Sequence, residues 1–118
     1  MKKFFEVTSF ENYNIVEIME TELTIHNTTQ FLVKLKSEVI DRYKLHLILD
    51  LKNIQYADSS FLAKLIKIHK QLHAKQKKLV IISVQKNLYE IMCLAQLDRM
   101  LIIKPDISAA ANFVENRL

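Results

Sequence analysis

The chain contains no glycine. That absence removes every phosphate-binding loop built on glycine, including the dinucleotide fingerprint and the Walker A loop. It also obliges any turn that needs a positive φ to use a residue carrying a Cβ, for which asparagine and aspartate are best suited. Asn12, Asn14, Asn27, Asn53 and Asn87 are the expected positions. With Cys93 as its single cysteine, the chain forms no intramolecular disulfide. The neighbours Ile91, Met92 and Leu94 predict a buried thiol, which suits a reducing cytoplasm. No apolar run approaches the length of a membrane span, so no membrane insertion is expected. The start, Met1-Lys2-Lys3-Phe4-Phe5, is broken by Glu6, Thr8 and Ser9 before an apolar stretch develops, and no export signal is expected.

Acidic residues are missing from Ser59 to Tyr89, while Lys64, Lys67, Lys70, Lys75, Lys77, Lys78 and Lys86 all fall there. The net charge is +4. One basic face follows, able to steer an acidic partner. Direct nucleic-acid binding is not expected, because exposed aromatics do not interleave these lysines and no binding module is recognisable.

At 118 residues, half of them hydrophobic, the chain is sized for one domain, 1–118, with its own core. Strands are expected at 4–9 and 14–21, with a turn at Glu11-Asn12-Tyr13. A helix capped by Asn27 or Thr28 runs to about Tyr43, its inner side Phe31, Leu32, Leu35, Val39 and Ile40. Leu45–Leu51 is apolar on both faces, as a central strand is. A second helix, from about Ser60 to Ala74, turns Leu62, Leu65, Ile66, His69 and Leu72 inward. A buried strand at 78–84 follows, then a helix at 86–95 with Leu88, Ile91, Met92 and Ala95 inward. The strand at 101–103 stops at Pro105, and Asp106 or Ser108 caps a last helix through about Glu115. The order ββαβαβαβα predicts an α/β domain: a mixed sheet of about five strands with about four helices.

The densest chemistry lies where the central strand leads to the second helix, at Tyr56-Ala57-Asp58-Ser59-Ser60. A hydroxyl or carboxylate there caps the helix, and a phosphate there would meet unpaired N–H groups of the first turn. His69 and His73 have a helical metal-binding spacing but no evident third ligand, so no metal site is expected. Tyr56 and Phe61 flank the serine pair, and the residues alone leave each open as core or as an exposed anchor.

Over nearly its whole length the pattern resembles the STAS domain family, whose founding members are anti-sigma factor antagonists. Leu49-Asp50-Leu51 resembles the family's central strand, Tyr56 to Ser60 its phosphorylation loop, and Lys77-Lys78-Leu79-Val80-Ile81 the following strand. Ala95-Gln96-Leu97-Asp98-Arg99-Met100-Leu101 resembles the segment leaving the third helix. Glu22-Leu23 is similar to the Gly-Glu-Leu-Asp segment before the first helix. The resemblance implies a binding protein, not an enzyme, with Ser59 as phosphoacceptor. It implies as partners an anti-sigma factor that is also a serine kinase, and a phosphatase that restores binding. The ATP site belongs to the kinase, so no cofactor is expected here. The partner surface implied comprises Asp58, Ser59, Ser60, Phe61, Glu22, Thr24 and Lys64.

The sequence departs from the family pattern at three places. Phe61-Leu62-Ala63 stands for Gly-Leu-Gly, and Phe61 is expected to crowd an approaching kinase backbone. Thr21 and Thr24 stand for the Gly and Asp around Glu22, and Gln96 for the Gly before Leu97. Two rival readings accompany the switch. One is a non-phosphorylated STAS adaptor or scaffold in which Ser59 is merely a cap. The other is a small α/β enzyme using Asp58 and Ser59.

Overall fold

A five-stranded mixed sheet organises the chain, its strands lying side by side in chain order. The computed structural model describes residues 3–115; Met1, Lys2 and residues 116–118, part of the expected 1–118 domain, lie outside the described residues. Strand β1 (Phe5–Ser9) pairs antiparallel with β2 (Tyr13–Ile18), and β2, β4 (His46–Asp50), β6 (Leu79–Ile82) and β7 (Ile102–Lys104) run parallel. Two further strands, β3 (Glu22–Leu23) and β5 (Tyr56–Ala57), form a separate parallel pair.

Crossover helices cover the sheet unequally. The first helical rod comprises α1 (Thr28–Leu35), a π-helical turn at Lys36–Ile40, and α2 (Asp41–Tyr43). The rod, α3 (Ser59–Ala74) and α4 (Lys86–Leu94) share one core with Leu47, Leu49, Leu79 and Ile81 of the sheet. The other face packs Ile48, Val80 and Ile82 under α5 (Ile107–Glu115) through Ala110 and Val114. Strands β4 and β6 are thus buried on both faces, as their apolar runs require. The expected fold class is what the structure has, including the buried Leu47, Leu49, Val80 and Ile82.

Several expectations need correction. None of the five asparagines takes a positive φ; Lys44, Gln76, Ser83 and Gln96 do, at φ 56–61°. Three of these end helices. Gln76 follows α3 in a Schellman turn, with the Lys77 N–H donating to the Leu72 carbonyl and the Gln76 N–H to the His73 carbonyl, both at 2.9 Å. Gln96 follows α4 in the same left-handed conformation, its N–H donating to the Cys93 carbonyl at 3.0 Å. Without glycine, the need for a helix stop outweighs the steric cost of a Cβ. Ser83 in this conformation also ends β6 at Ile82, short of the expected Val84. On α4, Leu88 and Met92 are buried, whereas Ile91 and Ala95 face outward and Cys93 is half-buried. Residues 88 and 92 are one turn apart and share the face of α4 that joins the core. On α3, Ile68 is buried while Ile66 and His69 are half-buried.

Candidate functional site

The Asp58–Ser60 turn sits where β5 runs into α3. Asp58 has an extended backbone and is the N-cap. Its Oδ1 accepts the N–H groups of Ser60 (3.0 Å) and Phe61 (3.4 Å), and its backbone carbonyl accepts the Leu62 N–H (3.2 Å). Its own N–H donates to the Leu23 carbonyl at 3.1 Å, part of the β3–β5 pairing. The capping role is therefore filled by the aspartate. Ser59, the first helical residue, is exposed, and its hydroxyl makes no hydrogen bond among the described residues.

The second half of the site comes from the segment after β3. Asn27 closes that loop, its Oδ1 accepting the Thr24 N–H and its Nδ2 donating to the Glu22 carbonyl, each at 2.9 Å. Thr24 Oγ1 accepts the His26 N–H at 3.2 Å. The free Oδ2 of Asp58 accepts the Ile25 N–H at 2.9 Å, across thirty-three residues of sequence. Pairing of Glu22 with Tyr56 and of Leu23 with Ala57 sets the two segments side by side. Glu22, Thr24, Asp58, Ser59 and Ser60 thus meet in one surface region, with Ile25 (69% exposed) and Tyr56 (53% exposed) as its apolar members.

Tyr56, left open by the sequence, is on the surface; Phe61 is not. Phe61 is fully buried and meets Phe31 edge-to-face, with centroids 6.2 Å apart. Phe31 also meets Phe4 and Phe5 at 6.3 and 5.9 Å, so Phe61 belongs to an aromatic cluster joining β1, α1 and α3. The expectation that Phe61 crowds an approaching kinase, or offers itself as a partner contact, is corrected: a residue following the cap by three positions points into the core. Lys64 is half-buried and stands apart from this cluster, about 140° around α3 from Ser59. Ile25 is the surface residue that the sequence reading passes over. A lone apolar residue in a polar stretch has no period to reveal its exposure.

None of the three clefts described on this surface is lined by Asp58 or Ser59. Among the described residues, no group of three or more His, Cys, Asp and Glu is arranged to hold a metal, and no helix is long and apolar enough to cross a membrane. The His69 and His73 rings stack at 5.9 Å. Away from this surface, His46 also serves the fold. Burial and then the nearby Lys77 and Lys78 push its imidazole below the usual range, and its Nδ1 accepts the Lys78 N–H at 2.9 Å.

The family model described as STAS domain matches residues 7–110. No curated protein matches the chain. Among solved structures, the chain is similar to a candidate anti-sigma factor antagonist of Thermotoga maritima, at 23% identity, 95% coverage of each chain and a TM-score of 0.83. It is similar to the Bacillus cell fate determinant SpoIIAA in its phosphorylated form, at 13% identity, covering 92% of this chain and 98% of that one, with a TM-score of 0.67. It is also similar to a part of the murine anion transporter Slc26a9, at 18% identity and a TM-score of 0.78, covering 92% of this chain and 18% of that one. At these identities the structural likeness carries the fold alone.

Proposed function

The chain belongs to the STAS domain family, and from that premise we propose that it is a cytoplasmic regulatory protein that changes partners when Ser59 is phosphorylated. The observation carrying this reading is the division of labour at the α3 N-terminus. Asp58 does the capping, and the neighbouring Ser59 hydroxyl is exposed and unengaged. A capping serine at position 59 would have its oxygen on the Phe61 or Leu62 N–H; here Asp58 takes both, the first with its carboxylate and the second with its backbone carbonyl.

The unmodified surface of Glu22, Thr24, Ile25, Tyr56, Ser59 and Ser60 binds an anti-sigma-type serine kinase, with Ile25 and Tyr56 as apolar anchors. The kinase brings its own ATP, and this chain performs no catalysis. Phosphorylation adds about −1.5 to −2 charges at Ser59. The helix dipole favours an anion there. The Ser60 and Phe61 N–H groups are already occupied, however, and the Asp58 carboxylate adjoins. The phosphate therefore stays at the surface, where a partner fitted to a neutral hydroxyl loses affinity. A phosphatase returns the chain to its binding form.

The test is incubation with a kinase co-purified from the native cells, with ATP, followed by mapping of the modified site. A single phosphate at Ser59, absent from Ser59→Ala, is expected. Phosphate at another residue, or a chain left unmodified by the kinase that binds it, would overturn the reading in favour of a constitutive adaptor.

A further inference from the structure

A groove of about 190 Å³ runs between the first helical rod and α3. Leu32, Ile40 and Ile68 line it, and Val33 stands at its lip, 63% exposed. Lys36 flanks it from the rod, Lys64 and Lys67 from α3. Lys36 is held by Asp41 at 2.7 Å, a contact that keeps the Asp41 carboxyl below its usual range. Lys64 and Lys67 have no acidic partner among the described residues. The rod turns π-helical at Lys36–Ile40, beside this part of α3. Such turns widen a helix locally and recur at functional sites.

We propose that this groove docks an acidic amphipathic helix of a partner protein. One large apolar side chain of that helix sits over Leu32, Val33 and Ile68, and acidic residues one turn apart pair with Lys64 and Lys67. Size supports a side-chain anchor, since an apolar cavity of about 150 Å³ takes a benzene-sized group and interfaces are dominated by such buried anchors. Shape supports a helix, because a trough between two helices accepts the ridge of a third. Charge supports an acidic one: two unpaired lysines three residues apart match carboxylates at helical spacing on a facing element. A second copy of this chain is poorly suited. Its α3 carries no acidic residue, α4 and α5 carry one each, Glu90 and Glu115, and the rod's Glu38 and Asp41 are already paired, with Lys34 and with Lys36 and Lys75. An amphiphile with a single anionic head would leave one of the two lysines unpaired. The proposal does not rest on the Ser59 switch, because Lys64 and Lys67 lie about 140° and about 80° around α3 from Ser59.

The test is nuclear magnetic resonance on the isotope-labelled full chain. It is titrated with a synthetic amphipathic helix carrying a leucine stripe flanked by glutamates, and with the counterpart flanked by lysines. The glutamate peptide is expected to shift the resonances of Leu32, Val33, Ile68 and Gln71, and the lysine peptide to leave them in place. Lys64→Glu with Lys67→Glu should weaken binding about tenfold or more. Val33→Glu, at an exposed position, should abolish binding while the thermal midpoint and the remaining spectrum stay as they were. Shifts centred on Ile25 and Tyr56, equal binding of the two peptides, or undiminished affinity in Val33→Glu would each overturn the proposal. So would shifts at the groove by laurate but not by the peptide, or a groove-mediated dimer in sedimentation that Val33→Glu dissociates.

Discussion

The Oδ2 of Asp58 accepts the backbone N–H of Ile25 at 2.9 Å, while its Oδ1 caps α3. One carboxylate therefore fixes both the helix that carries Ser59 and the loop that carries the most exposed apolar residue of the candidate surface. Asp58→Ala removes the cap and the bond to Ile25 together, and a cap alone is worth about 0.5–2 kcal/mol. The expected result is a loss of roughly that size in urea unfolding, with Ile25 amide exchange accelerated beyond the global change. Asp58→Ser keeps a cap but is too short to serve both partners, so it should recover the stability and leave the Ile25 amide fast.

Phe61 stands where the family pattern has glycine, and its burial against Phe31 decides what shortening it does. Restoring a small residue there does not open the surface to a kinase; it empties the aromatic cluster. Phe61→Ala should cost about 3–5 kcal/mol, the range for deleting a buried aromatic side chain. Chemical denaturation measures it, and a loss below about 1 kcal/mol would mean that the cluster relaxes to fill the space.

Gln76 and Gln96 close α3 and α4 in the left-handed region, which disfavours a residue with a Cβ by about 1–2 kcal/mol. Glycine there gains flexibility in the unfolded chain, which offsets part of the relief. Gln96→Gly and Gln76→Gly should each stabilise by roughly 0.5–1 kcal/mol and combine additively, being at separate helix ends. Differential scanning calorimetry of the two single variants and the double variant tests this.

His46 links stability to pH. Its imidazole is held below the usual range by burial and by Lys77 and Lys78, so the folded state binds a proton less readily than the unfolded chain. The stabilising contribution is full above the unfolded histidine value of about 6.5 and is lost as pH falls below it. Protonation also removes the acceptor of the Lys78 N–H. Unfolding free energy should fall from pH 7.5 to pH 5, and His46→Asn should flatten that slope.

The main sheet and its covering helices were legible because their signals are periodic. The apolar run at 45–51 marks a strand buried on two faces, the run at 78–84 a second buried strand that stops earlier, at Ile82, and the spacing of Phe31, Leu35 and Val39 marks a helix. The β3–β5 pair was not legible: two-residue strands carry no period, and their pairing is imposed by the crossover geometry. The left-handed glutamines were hidden for a different reason. Position relative to a helix end selected them, against their local preference. The candidate site stands out in the sequence by its place between strand and helix, but backbone geometry decides that Asp58 is the cap. Phe61 stays ambiguous in the sequence, because a hydrophobic residue beside such a loop reads equally well as anchor or core, and its burial settles it as core.

Under the proposed function, Ser59 is a free hydroxyl in a partner surface and a phosphate there dismantles the contact. The direct measurement is the affinity of the co-purified kinase for two otherwise identical chains, one unmodified and one with phosphoserine incorporated stoichiometrically at position 59. The account predicts binding weaker by about tenfold or more in the phosphorylated chain, since it faces a matched interface with a desolvated dianion, while thermal unfolding shows the fold retained. Equal affinity of the two chains for the kinase would contradict it.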